Sequence, residues 1–262
     1  MAQERREIAF DVDVLRAAEE HAGGELSAFV NAAVRRALPA PAPAGAAAGE
    51  LREQYLAAML ARDARAGQRL VEAAYAAGVP AIELYADVLA PVLHEVGHRW
   101  ALEELNVAEE HFVTTATQAL IAALARDGRP APSGGRLAVV SATPGERHLL
   151  GAQMVADLLE REGWEVLELG ADTPADDLTE LVGMDCPDLV ALSTSTAGRL
   201  PGLADVLARL DAVRPRPLIA VGGGLFTAEA AATAEELGAD LVVPELRAFL
   251  AELRRRFPPP AG

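Results

Sequence analysis

The chain has 262 residues, 51% of them hydrophobic, and a formal net charge of −16. That length suggests about two domains with a sizeable core, and the charge excludes general polyanion binding by the chain as a whole. Cys186 is the sole cysteine, which excludes an intramolecular disulfide and fits a reducing, cytoplasmic setting. All basic residues are arginine, a coding bias with little functional content. The N-terminal MAQERREIAF lacks the apolar core of a secretion signal. No apolar run reaches the roughly 20 residues of a membrane span.

Residues 1–38 form the first block. From Arg6 to Asp13, Ile8, Phe10 and Val12 alternate with Glu7, Ala9 and Asp11, the period of a half-buried strand. Val14–Ala22 reads as a helix, Gly23-Gly24 as a turn and Leu26–Leu38 as a second helix. Such a segment is too small to fold alone. It resembles a ribbon–helix–helix protomer, which folds as an intertwined dimer and sets a two-stranded ribbon in the DNA major groove. The resemblance implies a homo-oligomer and a DNA-binding or dimerisation arm. Both remain open, because the outward Glu7, Ala9 and Asp11 are not base-reading residues, and Arg5, Arg6, Arg35 and Arg36, with Arg16, supply the only cations. Residues 39–49 (PAPAPAGAAAG) read as a linker.

Residues 50–127 read as a four-helix bundle: Leu51–Ala66, Arg69–Ala77, Ala81–Glu104 and Val107–Ala125. Breaks fall at Gly67, Gly78-Val79-Pro80 and Asn106. Short connections imply antiparallel neighbours, and Pro91 should kink the third helix. Trp100 falls near the end of that helix, and Glu110 and His111 in the first turn of the next. Antiparallel packing would gather the three at one end of the bundle. A Trp face can stack on a flat ligand while Glu and His hydrogen-bond a sugar or base. Equally, Trp100 can be a core residue and Glu110 a helix-start acid that complements the dipole.

A second linker, 128–135, leads to residues 136–257, where strands and helices alternate. Strands are expected at Arg136–Ser141, Glu165–Leu169, Asp188–Ser193, Pro217–Val221 and Asp240–Val243, with a last helix at Glu245–Arg256. Continuous apolar strands point to a parallel sheet covered on both faces, in a doubly wound, flavodoxin-like (Rossmann-like) α/β domain. Ligands of such sheets sit over the carboxyl strand ends. The first end leads to Glu146, His148 and Gly151, the third to Ser193 and Ser195, the fourth to Gly222 and Gly223. An imidazole so placed can hold a metal, and a carboxylate on its other nitrogen would fix its tautomer. The glycines are also what ordinary turns require. No pattern resembles a hydrolytic triad or a zinc site.

The run Glu146-Arg147-His148-Leu149-Leu150-Gly151 resembles the D/E-x-H-x-x-G signature of cobalamin-binding domains. The Ser-rich third strand end and the Gly-Gly fourth strand end follow in that family's order. The resemblance implies that His148 is the lower ligand of cobalt, with Glu146 as its hydrogen-bond partner. Ser193, Ser195, Gly222 and Gly223 would then line the slot for the nucleotide tail. With Trp100 and, after nine residues, Glu110-His111 ahead of it, residues 51–256 resemble the adenosylcobalamin-dependent photoreceptor repressors of the CarH type. Leu169-Gly170-Ala171-Asp172-Thr173-Pro174 shares in the likeness. That family implies adenosylcobalamin, or else methylcobalamin, held between bundle and sheet, with Trp100, Glu110 and His111 capping the upper face. It implies a sensor and transcriptional regulator rather than an enzyme. The family places a His directly after the Trp, where this chain has Ala101, and neither His94 nor His98 is an obvious replacement. The family's usual winged helix-turn-helix has no counterpart in residues 1–38. A corrinoid carrier of a methyltransferase system is the alternative. A mutase subunit would need a substrate barrel, and a response regulator an acidic pair after the first strand.

Overall fold

The computed structural model of the chain describes residues 45–128, 131, 133–226 and 234–258. The arm expected over 1–38 and the start of the first linker lie outside them.

Helix α1 is Gly45–Leu60, so the last residues of the expected linker, 45–49, are already helical. Their alanines favour a helix over an extended spacer. The expected break at Gly67 falls earlier. Arg62 takes a left-handed φ of 60°, and Asp63 starts α2 (Ala64–Ala76), accepting from the Ala66 N–H at 2.9 Å. Gly67 lies inside α2, where a Cβ would run into Met59 and the Tyr55 ring. It is a glycine because two helices cross closely there.

Helix α3 is continuous from Ala81–Glu83 through a π-helical stretch, Leu84–Leu89, into Ala90–Ala101. The π stretch stands where the kink was expected. Pro91 lacks a donor and its ring crowds the carbonyl four residues back, and the wider turn has the Ala90 N–H donating to the Tyr85 carbonyl. Helix α4, Val107–Asp127, opens on a capping box. The Asn106 side chain accepts from the Glu109 N–H, and the Glu109 carboxylate accepts from the Asn106 N–H, each at 3.0 Å.

Five parallel strands follow: β1 Leu137–Ala142, β2 Glu165–Gly170, β3 Leu189–Ser193, β4 Leu218–Gly222 and β5 Leu241–Val242. Their order is β2-β1-β3-β4-β5. That is the flavodoxin-like order, with its switch point between β1 and β3. Strand residues alternate between two cores. Val139, Val190 and Ile219 pack on α6 (Ala175–Asp185) and α7 (Leu200–Ala212). Ala138, Leu189 and Ala220 join α5 (Leu150–Arg161), α8 (Leu246–Arg256) and the bundle in one continuous apolar core. The bundle therefore sits on the α5/α8 face of the sheet.

A buried polar cluster ties the two units together at the far end of α5. The Tyr85 hydroxyl, on the π stretch, donates to Asp157 Oδ2 at 2.7 Å. Arg161 donates to the same oxygen at 2.7 Å, to the Tyr75 hydroxyl at 2.8 Å and to the Leu124 carbonyl at 2.8 Å. Burial first, then the neighbouring Asp157 charge, pushes the Tyr85 hydroxyl far above its ordinary pKa, so it stays a donor. Arg247 of α8 pairs with Asp87 on the same π stretch.

Candidate cofactor-binding cleft

The β1–α5 loop is built by local hydrogen bonds. The hydroxyls of Thr143 and Thr194 meet at 2.6 Å, locking the ends of β1 and β3 together. Gly145, at φ 80°, makes a turn that a side chain would strain, and its N–H donates to Asp172 Oδ1 at 2.9 Å. That turn delivers Glu146 inward and His148 outward.

Glu146 is 1% exposed, yet its charge is fully engaged. Oε1 accepts from the N–H groups of Arg147 (2.8 Å) and His148 (3.1 Å), and Oε2 from the N–H of Ser195 (2.9 Å). Burial would raise its pKa, but the bonds from Ser195, the His148 ring, and the His148 and Arg147 backbone outweigh it, so the pKa falls below the ordinary 4.5. The carboxylate is therefore ionised and can only accept. At 2.5 Å from Oε1 of that acceptor-only carboxylate, His148 Nδ1 is the donor, so in the neutral ring the lone pair lies on Nε2, on a side chain that is 63% exposed.

His148 opens onto a cleft of about 760 Å³ between the bundle and the carboxyl edge of the sheet. Gly151, Ser193, Ser195, Gly222 and Gly223 line the sheet side, and Trp100, Glu110 and His111 the bundle side. Of the residues assigned to the site from the sequence, only the buried Glu146 does not face the cleft directly. The core reading of Trp100 does not hold: it is 48% exposed. Glu110 and His111 form a second carboxylate–imidazole pair, Oε2 to Nδ1 at 2.5 Å.

The glycines have packing reasons as well. A Cβ at Gly222 would stand 2.8 Å from the Val243 carbonyl oxygen, one at Gly151 would stand 3.3 Å from Ser193 Oγ, and Gly223, at φ 117°, would collide with the Thr194 backbone. They let β4, β5 and α5 close up beneath the cleft. Gly224 is the open one; the nearest atom to a Cβ there is His94 Nε2, at 3.8 Å.

Further lining residues carried no signal in the sequence: Gly97 on α3; Thr114 and Gln118 on α4; Arg147; and Pro244 to Leu246 with Phe249; His94, set aside there as a replacement for the His missing after Trp100, lines the cleft as well, as does Val107. His94 lies less than two turns before Trp100 on α3, while His98 does not line the cleft. Val107 carried a signal, since an apolar residue starting a helix among Glu109, Glu110 and His111 has no core to enter. It is 53% exposed.

The arrangement supplies one oriented nitrogen donor from the sheet, a flat aromatic face and a carboxylate from the bundle, and a floor of small side chains and bare glycine backbone at the ends of β3 and β4. Among the described residues, no three His, Cys, Asp or Glu side chains converge as a metal-binding group. A metal at His148 would therefore need a carrier that brings its own ligands. Residues 136–254 match the model of the B12 binding domain, and residues 51–125 match a second B12 binding domain model.

Over those two stretches the chain belongs to the B12 binding domain families.

The B12-binding chain is 35% identical over 187 residues to the HTH-type transcriptional repressor CarH of Myxococcus xanthus, a match covering 71% of this chain and 61% of that repressor. The chain thus spans less than two thirds of that relative. It is 29% identical over 157 residues to a dimethylamine corrinoid protein of Methanosarcina barkeri, covering 58% of this chain and 72% of that protein. Its fold resembles the monomethylamine corrinoid protein of Methanosarcina barkeri. The TM-score is 0.67 at 21% identity, over 79% of this chain and 98% of the other. Among the described residues, no helix is long and apolar enough to cross a membrane.

Proposed function

We propose that this chain is a cobalamin-dependent sensor and transcriptional regulator that takes adenosylcobalamin in its cleft. One observation carries the reading: an oriented imidazole on the sheet wall, His148 with Glu146, opens on the same cleft as an exposed Trp100 and the Glu110–His111 pair of the bundle wall. Bound cobalamin would supply a cobalt centre that a protein nitrogen can ligate and, in its alkyl forms, a light-sensitive cobalt–carbon bond. His148 would hold the metal through Nε2, and Glu146 would keep that lone pair aimed and basic. The small residues at the ends of β3 and β4 would take the nucleotide tail. Trp100 would cover the upper ligand with its ring and Glu110 would accept hydrogen bonds from it.

Whatever occupies the cleft touches both units, so a change there alters how α3 and α4 sit on the sheet. A change in assembly would then alter the avidity of paired N-terminal arms for DNA. The similarity to a transcriptional repressor supports this link. In the test, the full chain is loaded with adenosylcobalamin in the dark and its mass is followed by light scattering before and after green light. A change of oligomeric state on illumination, absent without cofactor, is the expected result; an unchanged mass excludes the light-sensing form.

A second reading, a corrinoid carrier for methyl transfer, draws on the resemblance to the amine corrinoid proteins. The exposed Trp100 and the paired Glu110–His111 favour the sensor, since a methyl group has nothing to stack or hydrogen-bond. Methyl transfer to the bound cofactor from a partner methyltransferase would favour the carrier.

A further inference from the structure

The bundle wall of the cleft is mostly apolar on α3, where Ala90, Leu93, Gly97 and Trp100 line it, and polar on α4. Along α4, Glu110, Thr114 and Gln118 fall four residues apart, one above another on the same face. Thr114 Oγ1 donates to Glu110 Oε1 at 2.7 Å, while His111 Nδ1 meets Glu110 Oε2 at 2.5 Å. The carboxylate is thus held at both oxygens by its own helix. Its side chain remains 23% exposed, so without those bonds it is free to turn to solvent. Each oxygen keeps a further lone pair for a donor from the cleft. Thr114 suits the bracing role because its hydroxyl, four residues on, stands beside the Glu110 carboxylate on the same helix face.

We propose that Thr114 is a positioning residue that fixes Glu110 as an acceptor for the vicinal hydroxyls of a nucleoside, and thereby selects a nucleoside-bearing upper ligand over a methyl group. A rigid carboxylate facing the apolar α3 side of the cleft favours a ligand group that brings two donors, and is left unpaired by one that brings none. Gln118, one turn further along α4 and also lining the cleft, offers an amide that can both donate and accept, which matches the edge of a heterocycle. The inference rests on the cobalamin reading above.

The test is dark equilibrium binding of adenosylcobalamin and methylcobalamin to the full chain, in wild type, Thr114→Val and Thr114→Ser, each checked by thermal melting. Valine keeps the shape and removes the hydroxyl. Thr114→Val is expected to weaken adenosylcobalamin binding about tenfold while methylcobalamin stays within about twofold, and Thr114→Ser to keep the wild-type preference. Equal weakening of both ligands, or no change in either, overturns the positioning role while leaving cobalamin binding intact. A wild type that prefers methylcobalamin overturns it too. A wild type that binds neither ligand removes the cobalamin reading itself.

Discussion

At the scale of single residues, the feature on which most depends is a charge taken out of water. Glu146 is buried because four hydrogen bonds, three from backbone and one from His148, replace its hydration. Glu146→Gln keeps the shape but puts an amide donor among N–H donors. It should cost about 2–3 kcal/mol, read as a lower melting temperature, and should also weaken corrin retention by loosening His148. The wild-type pKa lies below 4.5, so the stability Glu146 contributes is complete above that value. It is lost as the pH falls through the lowered folded value. Melting temperature against pH should drop in the acid range for wild type and run flatter for Glu146→Gln; parallel curves would contradict this account. The E-x-H-x-x-G spacing made Glu146, His148 and Gly151 legible in sequence, because their geometry is local to one loop. Thr114 was not legible, and His94 was legible only as a histidine of the third helix, not as a residue of the cleft. Which way each points depends on how the bundle sits on the sheet, and that is decided by residues far away in the chain.

At the scale of elements, the strands were legible to within one or two residues, since continuous apolar runs bounded by Gly, Pro and Asp leave few alternatives. The helices were less so. Gly67 reads as a breaker, yet it sits inside α2 because Tyr55 and Met59 need the space. The real break at Arg62 is marked only by the Asp63 cap. The latch between the units was not visible at all, because Tyr75, Tyr85, Leu124, Asp157 and Arg161 come from four separate helices. It makes its own prediction. Arg161→Met leaves Asp157 buried with a single donor and should destabilise the fold by about 3–5 kcal/mol. Tyr85→Phe removes one neutral donor and should cost about 1–2 kcal/mol. Thermal denaturation ranks the two, and a Tyr85→Phe loss as large as that of Arg161→Met would contradict the view that the arginine carries the latch.

At the scale of the whole molecule, one helix links the two ends of the arrangement. The first turn of α5 stands beside His148 and the cleft, and its last turns carry Asp157 and Arg161, which pin the bundle to the sheet. The bundle is thus tied by a buried polar cluster at one end of α5 and meets the sheet across an open cleft at the other. A ligand filling the cleft is gripped by both units, which is how its loss or alteration can reach the rest of the chain. The most direct test is the absorption spectrum of the full chain reconstituted with adenosylcobalamin in the dark and desalted, recorded before and after green light, beside His148→Ala. Retained corrin absorbance that shifts on illumination in wild type, and is weakened in His148→Ala, is the predicted result. Wild-type protein that retains no corrin would contradict the account at its centre.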